Sequence, residues 1–216
     1  MNILITGANG GIGGSIKEVL SDERFTIFSP SSKELDLNDN KKIVHYLNDK
    51  LIDGVVHAAG INNVMHASKV NENILIDHLR INALSLFEIC KNIQSKSQTI
   101  NILAISSLYG SIARVNRLPY VVSKHALEGL VKSLSIDFAP RILVNSISPG
   151  FVDTKMTRKN NSVEKIQEIK SKIPTGNLVD AEEISSLVKY LIINNKSITG
   201  QNIVVDGGYS CGGFEK

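Results

Sequence analysis

The chain has 216 residues, enough for one well-cored domain and short for two. Hydrophobic residues make up 42% and charged residues 21%, which is ordinary globular usage and argues against a disordered or fibrous chain. The net charge of +3 comes from lysines and arginines scattered without an aromatic-interleaved basic stripe, which speaks against nucleic-acid binding, and no apolar run is long enough for a bilayer span.

The first apolar run, Asn2–Thr6, reads as a strand that leads into Thr6-Gly7-Ala8-Asn9-Gly10-Gly11-Ile12-Gly13 and then into an amphipathic stretch from Ile16 to Leu20. Strand, glycine turn and helix start form a phosphate seat: glycine permits a tight bend and close backbone approach, and the N–H groups at a helix start favour an anion. The spacing is T-G-x-x-x-G-x-G, not G-x-G-x-x-G. Met1 and Asn2 run straight into this strand and leave no room for a signal peptide. The two cysteines, Cys90 and Cys211, stand far apart, so a cytoplasmic protein is expected.

Further strands are expected at Thr26–Ser29, Gly54–His57, Ile100–Ile105, Leu143–Ile147 and Asn202–Val205, with helices in the gaps. That alternation implies right-handed βαβ units and a parallel sheet covered on both faces, an α/β doubly wound sandwich in which residues 1–216 form one domain. Ligands in such folds lie beyond the carboxyl ends of the strands, where the glycine turn, Gly60, Ser107 and Pro149-Gly150 would converge. Cys90 sits in the apolar stretch Leu86 to Ile93 and reads as a small core residue. Asp180 reads as the N-cap of a helix from Ala181 to Ile193, with Glu182 and Glu183 in its first turn. The five histidines show no ligand spacing, and no metal site is expected.

Tyr120 and Lys124 are four residues apart, one helical turn, with Ser107 thirteen positions before the tyrosine. A phenol beside an ammonium and a serine hydroxyl is equipment for moving a proton to or from a carbonyl or alcohol oxygen, and the ammonium is expected to lower the phenol's pKa. Tyr46 and Lys50 repeat the tyrosine–lysine spacing, but the position thirteen upstream is Lys33, so that pair reads as an exposed helix face.

Taken in order, these motifs resemble the short-chain dehydrogenase/reductase family, in its short single-domain branch, and are similar to bacterial 3-oxoacyl reductases. Thr6 to Gly13 resembles the family's cofactor turn, which assigns Gly7, Asn9, Gly11, Ile12 and Gly13 to the dinucleotide, and Asp36-Leu37 resembles its adenine pair. His57-Ala58-Ala59-Gly60 resembles N-N-A-G and brings Ala58, Ala59 and Gly60 to the cofactor. Asn82 resembles the family's helix asparagine, and Ser107, Tyr120 and Lys124 its catalytic set. Pro149, Gly150, Val152 and Thr154 fall in a segment like P-G-x-x-x-T beside the nicotinamide, and Asp206-Gly207-Gly208 resembles the late D-G-G.

The resemblance implies an NAD(P)-dependent oxidoreductase in which Tyr120 is the general acid or base. Ser107, preferred to Ser106 by its spacing to the tyrosine, would bind the substrate oxygen. Lys124 would also hold the nicotinamide ribose, so Tyr120 and Lys124 both meet the cofactor, and Asn82 would hold a water that relays protons. Residues 151–176, rich in lysine (Lys155, Lys159, Lys165, Lys170, Lys172) with Arg158, would be the substrate flap. The stretch Phe28-Ser29-Pro30-Ser31-Ser32-Lys33 offers hydroxyls, from Ser29 and Ser31, and a lysine to a 2′-phosphate, so NADP(H) is expected, with Glu34 leaving NAD(H) as the alternative. The partner is a small carbonyl or alcohol compound, and the resemblance implies a homodimer or homotetramer. Two other readings stand beside this one. One is an extended-branch nucleotide-sugar reductase or epimerase, which the opening also resembles. The other is a non-catalytic dinucleotide sensor, which would be expected to lack the proton-transfer residues.

Overall fold

The computed structural model describes residues 1–154, 157–158 and 161–212. Six parallel strands form one sheet: β1 (Asn2–Thr6), β2 (Thr26–Phe28), β3 (Gly54–His57), β4 (Ile100–Ile105), β5 (Ile142–Pro149) and β6 (Asn202–Val205). Their spatial order is β2-β1-β3-β4-β5-β6, the doubly wound arrangement that the alternation of apolar runs implied. The chain moves outward from β1 to β2 and then recrosses to β3, so the order reverses between β1 and β3, and a crevice opens at their carboxyl ends. All six strands lie where the sequence places them, except that β2 stops before Ser29 and β5 runs further at both ends.

The strands read as continuous apolar runs because both faces of the sheet are covered. Leu4, Val55, Ile102 and Val144 point into one core with α2 (Asn40–Leu47), α4 (Ser85–Asn92) and α5 (Leu118–Asp137). Ile3, Ile5, Val56 and Leu103 point into the other, against α1 (Gly11–Val19) and α7 (Ala181–Asn194). Cys90 is buried in the first core, where burial pushes its thiol pKa up to about 12 and makes it a packing residue.

The helices start where short polar side chains cap them. Asp39 accepts from Lys41 N–H at the start of α2, and Asn71 accepts from Ile74 N–H at the start of α3 (Glu72–Leu79). Asp180 and Glu183 form a reciprocal capping box at α7, as the sequence indicates. Between α3 and α4 the helix widens into a π turn over Arg80–Leu84, which carries Asn82. In the 151–176 segment the structure forms α6 (Val163–Ser171), while Lys155 and Lys159 lie outside the described residues. No helix among the described residues is long and apolar enough to cross a membrane.

Candidate active site

A cleft of about 340 Å³ opens at the β1/β3 crevice, lined by the glycine turn, by Ser31, Asp36 and Leu37 after β2, and by Ala58 to Gly60 after β3. Gly7 has φ +72°, and a Cβ there would come within 2.5 Å of Ala59 N, so glycine is needed for the turn to lie against the end of β3. A Cβ on Gly13 would run into the Gly7 carbonyl oxygen. Gly10 is the N-cap of α1 and offers no side-chain cap, which leaves the helix's first N–H groups open beside the cleft. Free N–H donors, the positive end of a helix dipole and a bare backbone at Gly10 fit a dinucleotide pyrophosphate.

At the carboxyl end of β4, Ser107 accepts from Tyr109 N–H at 3.2 Å and caps a short 3-10 turn over Leu108–Gly110. Pro119 in the first turn of α5 pre-sets that helix, whose inner face carries Tyr120 and Lys124. The Ser107 side chain acts on the Tyr120 phenol by lowering its pKa. Ser106 turns away, its buried hydroxyl packed beside Gly110 and lacking a hydrogen-bond partner. Lys124 is 3% exposed; its Nζ donates to Ile105 O at 2.8 Å and lies 5.6 Å from the Tyr120 ring centroid. Burial pulls the Lys124 pKa down to about 8, against the opposing charge of Glu128 one turn further along α5.

This geometry coincides with what sequence and structure share with known proteins. Residues 35–210 match the family described as enoyl-(acyl carrier protein) reductase. A 3-oxoacyl-[acyl-carrier-protein] reductase of Buchnera aphidicola subsp. Schizaphis graminum is 32% identical over 95% of both chains. The chain belongs to the short-chain dehydrogenase/reductase family. The aldohexose dehydrogenase of Thermoplasma acidophilum superposes with a TM-score of 0.90 at 26% identity, over 97% of this chain and 94% of that one. A 4-hydroxyisoleucine dehydrogenase solved with NADH superposes at 0.87 and 27% identity, over 98% and 99%. The chain is therefore an NAD(P)-dependent oxidoreductase of the family, acting on a carbonyl or alcohol group.

Against the family pattern, the predicted cofactor residues separate into two groups. Gly7, Asn9, Ser31, Asp36, Leu37, Ala58, Ala59 and Gly60 line the cleft. Gly11, Ile12, Gly13, Ser29, Pro149, Gly150, Val152 and Thr154 lie outside its lining, and several have packing tasks. Ile12 and Val152 pack in the second core. A Cβ on Gly11 would stand 2.7 Å from Thr154 Cγ2, and one on Gly150 would stand 2.7 Å from Asp206 Cβ. Gly60, Asn82 and Lys124 do converge: a Cβ on Gly60 would lie 3.2 Å from Asn82 Oδ1 and 3.8 Å from Lys124 Nζ.

One expectation is corrected. Lys124 does not make the half-buried Tyr120 phenol acidic. Burial raises the Tyr120 pKa, the Ser107 side chain lowers it, Tyr109 raises it and Arg117 lowers it, while the Lys124 ammonium is engaged by the Ile105 carbonyl. The Asn82 side chain clamps the loop after β3 to α5: Nδ2 donates to Ile61 O and Ser123 Oγ, and Oδ1 accepts from Ile61 N–H. At Tyr46 and Lys50 no such site forms, and Lys50 Nζ donates to Tyr46 O.

One residue acquires a role that motif comparison misses. His57, where the family pattern has asparagine, is fully buried. Its Nε2 faces Ile81 O at 3.2 Å, a group that only accepts, so Nε2 carries the proton and Nδ1 accepts from Thr6 Oγ1 at 2.9 Å. Thr6 Oγ1 in turn accepts from Ala59 N–H. Burial first, and the charge of Lys124 second, pull the His57 pKa down to about 3, and the neutral ring ties β1, β3 and the π turn together. Its signal in the sequence is the departure itself, a histidine closing an apolar strand.

Proposed function

We propose that the protein transfers hydride between a nicotinamide cofactor and a carbonyl or alcohol, with Tyr120 as general acid or base. The observation that carries this is a buried Lys124 whose Nζ lies 5.6 Å from the Tyr120 ring centroid, with Ser107 at the end of the neighbouring strand β4. The cofactor supplies or accepts the hydride when bound. In reduction, the Tyr120 hydroxyl gives its proton to the oxygen on which charge develops, while Ser107 donates a hydrogen bond to the same oxygen. Donors aimed beforehand at that charge lower the barrier without solvent reorganisation. Lys124 lies beside the ring, its Nζ 5.6 Å from the centroid, and its remaining N–H groups are available to a ribose hydroxyl. Tyr120→Phe is expected to abolish turnover and to keep nucleotide binding in a fluorescence titration; near-normal activity would overturn the assignment. A sensor that binds nucleotide and never turns over is the reading this test separates.

For the cofactor, Ser29, Ser31 and Lys33 support a 2′-phosphate, but Glu34 weighs against it: its carboxylate accepts from both Ser31 N–H and Ser31 Oγ–H at 2.8 Å. A carboxylate that met the ribose 2′ position would repel a phosphate and accept from a free hydroxyl. The turn also carries no cation between Thr6 and Gly13. NADP(H) is the favoured form and NAD(H), through Glu34, the alternative, and Michaelis constants for NADH and NADPH test which is used. The similarity to oxoacyl reductases favours a 3-oxoacyl-like carbonyl over a nucleotide sugar. Residues 151–176 are read as the substrate flap. Self-association as a dimer or tetramer follows from the family and is tested by sedimentation.

A further inference from the structure

Two arginines, Arg114 and Arg117, stand on the connection between the 3-10 turn and α5, shortly before Tyr120 in the chain. Arg114 Nη1 donates to Tyr109 Oη at 2.6 Å, and its guanidinium lies 5.8 Å from the Tyr109 ring centroid and 5.5 Å from that of Phe151. Tyr109 in turn meets the Tyr120 ring edge-on, with centroids 6.4 Å apart. Arg117 Nη1 donates to Asn62 Oδ1 at 2.8 Å and is half-buried at the start of α5. Burial first and the charge of Arg114 second weaken the hold of Arg117 on its proton, and Arg117 acts in turn on Tyr109 and Tyr120. The two arginines carry like charges three residues apart on one connection, and an anion bound by both would relieve their repulsion.

The surrounding groups leave that role open. Among the described residues neither arginine meets a carboxylate within 4.0 Å, whereas Arg24 and Arg158 are paired with Asp22 and Asp153. Glu168, the one acid lining the adjoining aromatic trough, is taken by Lys165 at 2.7 Å and Lys172 at 3.2 Å. A guanidinium fixed against two rings keeps further N–H groups in a planar fork, the shape that suits a carboxylate.

We propose that the physiological substrate carries a carboxylate of its own, held by Arg114 and Arg117 while its carbonyl or hydroxyl meets Ser107 and Tyr120. This rests on the assignment of Tyr120 and Ser107 as the reacting pair. The reaction is then the interconversion of a short oxo acid and a hydroxy acid: hydride to the carbonyl carbon, a proton through Tyr120 to the oxygen, and the carboxylate unchanged. The trough wall of Tyr109, Phe151 and Tyr209 would cover the carbon chain between the two polar ends.

The test compares acetoacetate and levulinate with their methyl esters in NADPH consumption by wild type, Arg114→Gln and Arg117→Gln. Wild type should favour the acids in kcat/KM by about ten- to a hundred-fold, the range of a charge-assisted hydrogen bond, and each substitution should drive the acid-to-ester ratio toward one. A ratio near one in wild type, or one that neither substitution moves, overturns the proposal. Calorimetric binding of pentanoate against its amide, in the presence of NADPH, gives a second readout without turnover. Arginine-dependent preference for pentanoate with no turnover of any substrate would refute the Tyr120 assignment and leave the anion site standing. Equal binding of acid and amide in all three proteins would remove the anion site whatever the turnover.

Discussion

Replacing Lys124 with methionine removes an ammonium whose pKa burial has pulled from 10.5 to about 8. Each tenfold difference in proton affinity is worth about 1.4 kcal/mol, so holding that charge inside the fold costs about 3 kcal/mol at neutral pH. The sign follows from the proton count. Between the folded and unfolded pKa values the unfolded chain binds more protons, so wild-type stability rises as pH climbs through 8 toward 10.5, and below 8 the cost is present in full. The methionine variant has no such term. It does lose the bond from Nζ to Ile105 O at 2.8 Å, and a buried carbonyl left unpaired costs about 1–3 kcal/mol. At pH 7 the two effects nearly offset, and the variant should match wild type within about 2 kcal/mol while being inactive. Urea unfolding of both proteins at pH 7 and pH 9.5 isolates the charge, because every other titrating group is common to the two. Wild type should gain about 2 kcal/mol on the variant over that interval. A difference that stays flat with pH would refute the claim that a desolvated ammonium lies beside the phenol.

Glu128→Gln removes the charge that supports Lys124 while keeping an acceptor for Ser146 Oγ, so the alkaline fall in kcat/KM should begin at lower pH than in wild type. A pH–rate profile checks this. For His57, whose pKa falls from 6.5 to about 3, the neutral ring is accommodated above 6.5 and the fold loses stability as pH drops toward 3. His57→Gln should therefore lose about 3 kcal/mol less than wild type between pH 7 and pH 4, read from urea midpoints. Gly13→Ala drives a methyl into the Gly7 carbonyl and should lower the melting temperature and weaken NADPH binding. Gly11→Ala brings its methyl to 2.7 Å from Thr154 Cγ2 and 2.9 Å from Thr154 Cβ, side-chain atoms instead of backbone, and should be milder in both measurements.

Much of the fold was legible because local pattern and global environment agree here. A strand buried on both faces is a short apolar run, and six of them alternate with amphipathic stretches, so topology followed from spacing. Capping chemistry is equally local, which is why Asp180 identified the start of α7. Ser107, Tyr120 and Lys124 were visible because the strand end and the helical turn that position them keep a constant spacing along the chain.

Other features depend on what burial and distant neighbours do. The same tyrosine–lysine spacing occurs at Tyr46 and at Tyr120, and only the second lysine is carried inside, where desolvation resets its proton affinity. No sequence pattern says that the Lys124 ammonium is aimed at a carbonyl of β4, that Asn82 spends its amide on the Ile61 backbone, or that His57 is a neutral brace. Nor does it say that Glu34 folds back on Ser31. The linear chain determines which groups exist and, through periodicity, which side of the sheet each one faces. Which of them lose water, and which partner they receive in exchange, is decided only when segments remote in sequence are packed together, because desolvation and hydrogen bonding depend on distances that spacing along the chain does not encode.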